Sequence, residues 1–264
     1  MDREIRALLG PTAVVGRGEI LYFDEIDSTN THAKRLIREG APEGTVVVAD
    51  CQTAGRGRME RSFQSPRGKG LYLTVLLRPE LPPERLLPVT ALAGVALCRA
   101  VERTCGVRPG LKWPNDPVLG GKKLCGILTE RTGENALVLG LGVNVSQTRE
   151  DFTPEVAEMA TSLAMELGRP VSRPALAAAL LEELDRAYAA LLAGDLPPFL
   201  EDYRRRCVNL GKRVRLRSPE GGEEMAAAVD IDEEFALVVR LDGGGERTVR
   251  SGEVSVRGLY GYAE

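Results

Sequence analysis

The apolar positions of this chain fall in strand-length bursts separated by helical stretches. Residues 20–26 (ILYFDEI), 45–50 (TVVVAD) and 71–77 (LYLTVLL) are short, nearly continuous apolar runs of the kind that form buried strands. Between the first two, Asp27-Ser28-Thr29-Asn30 supplies a helix start with Asp27 or Ser28 as N-cap. The helix THAKRLIRE that follows stops at Gly40, where glycine can take the left-handed position. From Leu86 to Thr104 the apolar spacing is helical and rich in Ala. LKWPND (111–116) begins as a strand that Pro114 breaks, leaving Asn115 and Asp116 at its rim. KKLCGILTER (122–131) and ALVLGLGVNV (136–145) read as paired strands around Thr132–Asn135. Two further helices are predicted at 153–167 and 174–193, with Pro174 in a first turn.

From Leu210 the texture changes. KRVRLRS, AAAVDIDE, ALVVRLD and RTVRSGEVSVRG are short alternating strands set apart by Gly-containing turns, which predicts a small β-barrel. The expected fold is α+β: a larger mixed α/β domain over 1–208 and a small barrel over 209–264.

Composition narrows the class. Across 264 residues, 35 Lys+Arg stand against 38 Asp+Glu, for a net charge of -3, which argues against a dedicated nucleic-acid binder. The apolar runs fall far short of the ~20 residues that span a bilayer, and the charged opening MDREIRALLG does not read as a signal peptide. The roughly twenty residues ahead of the first strand are too few for a helix-turn-helix domain. Cys51, Cys98, Cys105, Cys125 and Cys207 are odd in number and widely spaced, suiting neither a disulfide framework nor a zinc site. The expectation is a cytoplasmic protein with reduced thiols.

Three segments could carry chemistry. The first is the loop QTAGRGRMERSFQSPRGKG (52–70), too long for a simple hairpin. Its Gly55-Arg56-Gly57-Arg58 run offers unobstructed amides and two planar cations suited to carboxylate or phosphate. The bland reading is a solvated surface loop. The second is Lys112-Trp113-Pro114-Asn115-Asp116, where Asp116 could hold Mg²⁺ on a nucleotide. Its plain alternative is a strand exit, with Trp113 in the core. The third is Lys122-Lys123-Leu124-Cys125-Gly126, where a lysine at a strand start can point into a cleft and Gly126 permits close approach. Lone lysine pairs are usually solvated. Together the three supply a phosphate loop, a metal carboxylate and a point cation, a set suited to attack by a carboxylate on a nucleotide phosphate. His32 has no visible partner, Cys51 and Cys125 read as small core hydrophobes, and Gly140-Leu-Gly142 lacks a third glycine for a dinucleotide fingerprint.

In order along the chain, Asp27-Ser28-Thr29-Asn30, Gln52 with Gly55-Arg56-Gly57-Arg58, Lys112-Trp113-Pro114-Asn115-Asp116, Lys123-Leu124-Cys125-Gly126-Ile127-Leu128 and Gly140-Leu-Gly142-Val-Asn144-Val145 resemble the biotin protein ligases. The resemblance runs from about Leu21 to Val254. It implies a catalytic domain followed by an SH3-like barrel. It also implies a two-step reaction: biotin and Mg-ATP give biotinyl-5′-AMP, and the acyl group then passes to a lysine of a biotin carboxyl carrier protein. By similarity, Ser28, Thr29, Asn30, Gln52, Arg56, Gly57, Arg58 and Lys123 fall on the biotin side, with Lys123 and Arg58 in catalytic roles. Gly55, Phe63, Lys112, Asn115 and Asp116 fall on the ATP side, with Asp116 toward Mg²⁺, and the 53–70 segment is the implied lid. Where family loops carry Gly and Trp, this chain has Glu60 and Phe63. The partner implied is a carrier domain, with neither DNA nor membrane, and a homodimer is left open. Two other readings stand beside it, a lipoate or octanoyl protein ligase and a biotin-responsive DNA-binding repressor.

Overall fold

A computed structural model describes residues 1–57, 61–133, 135–217, 222–250 and 255–257. Its centre is a five-stranded mixed sheet built from β1 (Ile20–Phe23), β2 (Val46–Ala49), β3 (Gly70–Leu77), β7 (Cys125–Thr132) and β8 (Ala136–Asn144), in the order β1-β2-β3-β8-β7. The β1–β2 pair is parallel and the other pairs are antiparallel. A separate three-stranded antiparallel sheet is made by β4 (Gly110–Lys112), β5 (Asp116–Leu119) and β6 (Lys122–Lys123).

Successive side chains of a strand point to opposite faces, and the two faces of the large sheet are covered differently. Val46, Val48, Leu73, Val75, Leu139 and Leu141 join the main core together with α3 (Val89–Cys105) and α6 (Arg173–Ala193). Their alternates Val47 and Val138 pack under Ala33 of α2 (Thr29–Arg38). The sheet is therefore sandwiched between one short amphipathic helix and a broad helical layer. That explains why β2 and β3 read as unbroken apolar runs, since both of their faces are buried.

The structure departs from the pattern reading in several places. The first strand ends at Phe23, because the exposed pair Asp24-Glu25 turns out to solvent, and Ile26 makes only a parallel bridge to Gln52. The stretch predicted as one helix at 153–167 is two short ones, α4 (Pro154–Ala157) and α5 (Leu163–Leu167). The backbone between them is spent on β6: Lys123 N donates to Met159 O at 2.7 Å, and Thr161 N donates to Lys123 O at 2.9 Å. Ser162 then caps α5 by accepting from Met165 N. Leu124 splits the predicted 122–131 strand between the two sheets, so that Lys123 and Gly126 belong to different ones. The helices α1 (Asp2–Leu8) and α7 (Pro197–Arg206) have no counterpart in the pattern reading.

The C-terminal unit contains β9 (Arg213–Arg217), β10 (Glu223–Ile231), β11 (Leu237–Leu241), β12 (Glu246–Val249) and β13 (Ser255–Arg257). They form a small antiparallel sheet in the order β12-β11-β10-β9-β13. It is latched to the rest by Trp113, whose Nε1 donates to Phe235 O at 3.0 Å and whose backbone N donates to Asn209 Oδ1 at 2.7 Å. Tyr203 of α7 completes the joint, with its hydroxyl on Pro114 O at 2.9 Å and its ring edge-on to Phe235. At 1% exposure Trp113 is a core residue. Among the described residues all five cysteines are free thiols, four of them buried. No helix of the described residues is long and apolar enough to cross a membrane.

Candidate functional site

On the face of the large sheet that carries α2, β8 runs Val138, Gly140, Gly142, and β7 places Gly126 opposite Gly142. Val138 lies under α2, whereas the glycines beyond it carry no side chain and leave a low strip along β8, a trough bordered on β3 by Thr74 and Tyr72 and covered by Asn30 and Phe63. The helix ends at the trough: Asn30 in its first turn lies directly over Gly140, where any Cβ would overlap the Asn30 amide. Farther along, the Phe63 ring lies over Gly126 and Gly142 in the same way, and it meets Tyr72 edge-on at 6.4 Å between centroids. One face of one sheet thus runs from helix to loop, with glycines beneath the junction.

The described arms of the loop carrying Phe63 are joined only by isolated bridges, in keeping with a segment too long for a simple hairpin. Its arms meet at Gln52↔Ser65 and Arg56↔Ser62. Phe63 N donates to Gly55 O at 2.9 Å, and Gly57 N donates to Arg61 O at 2.7 Å. Gly55 is required here, because a Cβ would overlap Phe63 O. Arg56 is exposed, and Arg58 and Glu60 lie outside the described residues. The stems are tied down from outside, since Arg173 at the start of α6 holds both Asp50 (2.6 Å) and Gly70 O (3.2 Å).

Gln52 joins this loop to the helix start. Its Oε1 accepts from both Thr29 N (2.9 Å) and Thr29 Oγ1 (3.1 Å), while its Nε2 donates to Ser65 Oγ at 2.7 Å. Ser28 is the N-cap residue of α2 by position, with extended backbone, yet its hydroxyl makes no cap bond. Instead, Asp27 Oδ1 accepts from Ser28 N at 2.7 Å, and Asp27 Oδ2 pairs with Arg35. Ser28 and Thr29 are almost fully buried at the head of the trough. Asn30 is used differently. Its Nδ2 donates to Glu130 Oε2 (2.8 Å) and Leu128 O (3.3 Å), and its Oδ1 accepts from Thr74 Oγ1 at 2.6 Å.

Glu130 in turn accepts from Lys34 Nζ at 2.6 Å. Burial alone pushes the Glu130 carboxyl up. The hydrogen bonds from Lys34 and Asn30, with the charge of Lys34, outweigh that and hold it below the usual carboxylate range.

The second group comes from the small sheet. Lys123 lies opposite Val118 and so diagonal to Asp116 on the same face, and its Nζ donates to Asp116 Oδ1 at 2.6 Å. Lys112 lies directly opposite Asp116 in the β4–β5 pair. Asn115 is not at a rim, as its position after Pro114 predicted. It is 2% exposed, and its Nδ2 donates to Ile127 O at 3.2 Å, which docks the turn on β7 one residue past Gly126. Lys112 is equally buried, at 3%. The two groups therefore meet along the first residues of β7. Among the described residues no three His, Cys, Asp or Glu side chains cluster as a metal site. Asp116 is a single carboxylate, which suits a hard cation arriving on a polyphosphate better than a resident metal.

Thr74 and Glu130 escaped the motif reading, and Gly140 and Gly142, quoted within the Gly140–Val145 motif, were given no place in the site. Glycines at alternate strand positions were the available signal, because that spacing empties one face of a strand.

Known proteins match this chain along most of its length. Residues 22–146 match the model of the biotin/lipoate A/B protein ligase family, and residues 210–257 match the biotin protein ligase C terminal domain. The bifunctional ligase/repressor BirA of Bacillus spizizenii is 35% identical over 247 residues, covering 92% of this chain and 75% of that protein. The biotin–[acetyl-CoA-carboxylase] ligase of Mycobacterium tuberculosis is 36% identical over 230 residues, covering 85% of this chain and 83% of its own. A solved structure of the biotin protein ligase from Aquifex aeolicus, in complex with biotin and ATP, superposes with a TM-score of 0.81 at 28% identity, covering 90% of this chain and 98% of that one.

Proposed function

Because the chain belongs to the biotin/lipoate A/B protein ligase family, we propose that it is the ligase that attaches biotin to a carboxyl carrier protein. In the first step the biotin carboxylate attacks the α-phosphorus of ATP. A C–O–P linkage forms, the bond to the β-phosphate oxygen breaks, and pyrophosphate leaves. In the second step a carrier lysine, as the free amine, attacks the acyl carbon and AMP leaves.

The observation that carries this reading is the trough with a polar head and a cationic exit. At the head, Ser28 and Thr29 with Gln52 offer short hydroxyl and amide groups, the chemistry that a neutral ureido ring calls for. The apolar Phe63 ring over Gly126 and Gly142 suits the hydrocarbon part of the substrate or the adenine beside it. At the exit stand Lys123 and Asp116, with Lys112 across the strand pair. Two anions must meet here, and a fixed cation removes much of their repulsion. One well-aimed donor to developing charge is worth ~3–4 kcal/mol.

Lys123 fills that role in this reading, together with Arg58 and Arg56 from the loop. Lys112, Asn115 and Asp116 line the nucleotide side, with Gly55 and Gly57 letting the loop fold closely over it. Mg²⁺ fits as a substrate-borne ion: Asp116 would hold it, and it would neutralise charge on the phosphates. Asn30 has a supporting role rather than a ligand contact, since both of its amide hydrogens are spent within the protein. The chain divides for this purpose at 208/209, with the C-terminal sheet bracing the Trp113 turn. Biotin rather than lipoate is favoured by the C-terminal match, which is specific to biotin protein ligases.

The test is biotin-dependent exchange of label between pyrophosphate and ATP, with lipoate and octanoate as competitors. Exchange supported by lipoate and not by biotin would overturn the assignment.

A further inference from the structure

The chain Lys34–Glu130–Asn30–Thr74 lies beside the trough and below the head of α2. Asn30 and Lys34 are one helical turn apart, and Glu130 from β7 grips both, one with each carboxylate oxygen. Thr74 from β3 holds the carbonyl end of Asn30. Two strands thus fix the rotation of the helix turn that presents Ser28 and Thr29.

The Lys34–Glu130 pair is itself a weak source of stability. Each side chain is about a quarter exposed, and such pairs are worth little. The Asn30 bonds are the specific part, because Asn30 is 5% exposed and sits so close over Gly140 that a Cβ on that glycine would overlap its amide.

We propose that Glu130 is a positioning residue for the biotin site, acting through Asn30 on the first turn of α2, while Lys34 neutralises it. The neutralisation matters because Lys34 holds Glu130 in the charged form that accepts the Asn30 bond. The proposal rests on the ligase reading above.

The experiment uses the full chain and follows pyrophosphate–ATP exchange as a function of biotin and of Mg-ATP, with biotin binding measured separately by calorimetry. Losing a hydrogen bond to a charged group predicts that Glu130→Ala raises both the KM and the Kd for biotin about tenfold or more. Its kcat at saturating biotin should stay within about twofold of wild type, as should its KM for Mg-ATP, since a misaligned binding turn leaves the cationic exit untouched. Glu130→Gln keeps an acceptor for Asn30 and should restore biotin KM to within about threefold of wild type.

If Glu130→Ala does not fold, Thr74→Val takes its place. It removes the donor to Asn30 at nearly constant shape and should raise biotin KM by about tenfold as well. A biotin KM within twofold of wild type in the folded variant overturns the proposal. So does a fall in kcat at unchanged KM, or a Glu130→Gln variant as impaired as Glu130→Ala. A wild type without biotin-dependent exchange overturns the ligase reading; a wild type that exchanges beside an unshifted variant overturns this proposal alone.

Discussion

Lys123 Nζ rests 2.6 Å from Asp116 Oδ1, so the two residues read from the sequence as separate tools, a cation and a metal carboxylate, are partners in the free protein. Each holds the other in place across two short strands, and on the proposed reading each has to loosen its hold when a polyphosphate and its cation enter. Lys123→Ala should lower biotin-dependent pyrophosphate–ATP exchange about 100-fold, the range for removing one aimed donor. Asp116→Asn should raise the KM for Mg-ATP. The double variant should lose less than the product of the two, because the residues share one interaction. Near-normal exchange in folded Lys123→Ala would remove that lysine from the mechanism.

The glycine floor gives a second test. Gly142→Ala places a methyl group inside the space of the Phe63 ring, so the ring must move off the trough. Biotin and adenylate binding should weaken by at least tenfold, while a change confined to one face of β8 leaves the main core unaltered. Thermal melting and calorimetric titration separate the two effects. Unchanged biotin affinity would mean that ligand does not use this part of the sheet.

Asp202 predicts an acid limit to stability. It is 4% exposed and pairs with Arg99 (2.8 Å) and Arg206 (3.1 Å), joining α7 to α3. Burial pushes its carboxyl up, but the bond from Arg99 and the charges of Arg206 and Arg99 more than reverse that, so it lies below its ordinary value. A depressed carboxylate contributes stability that is complete above the unfolded pKa, near 4, and is lost as pH falls through the lower folded value. Asp202→Asn should therefore be markedly destabilised at pH 7, with the gap to wild type narrowing below about pH 4. A gap constant from pH 7 to pH 2 in denaturant melts would contradict this.

Thiol chemistry provides a simpler check. Burial pushes Cys98 up to about 12 and raises Cys125 and Cys207 as well, so these stay protonated and inert at ordinary pH. Only Cys51 is even half-buried rather than buried. A thiol reagent at pH 8 should label one site per chain in the native protein, identified by mass spectrometry as Cys51, and five after denaturation. Rapid native labelling of Cys98 would contradict its burial.

The sequence was most readable where one rule acted alone. β2, β3 and β8 are buried on both faces, so their apolar runs announced them. Trp113 was read as core, and it is. The misreadings lie where a distant segment decides the outcome. The run 153–167 has helical spacing, but the backbone of β6 takes hydrogen bonds from its middle, a contact across some forty positions that no local pattern carries. Asn115 follows a proline in turn-like company, yet it is drawn inward by Ile127 O. For the candidate site, motifs singled out Lys123, Asp116, Gln52 and Thr29, and the fold pairs Lys123 with Asp116 and Gln52 with Thr29. They could not tell that Asn30 is bound from beneath, because its partners Thr74 and Glu130 lie on strands far along the chain.

The Trp113 latch bears on how this chain can be cut. The indole is held between both units, and its one donor ends on Phe235 O in the turn between β10 and β11 of the C-terminal unit. Removing that unit would take away the indole's acceptor and expose its ring to water at the turn that leads into Asn115 and Asp116. On the proposed reading, the nucleotide side would lose its footing although every residue assigned to it remained. Cutting the chain between the units should therefore cost stability at the Trp113 turn as well as in the piece removed.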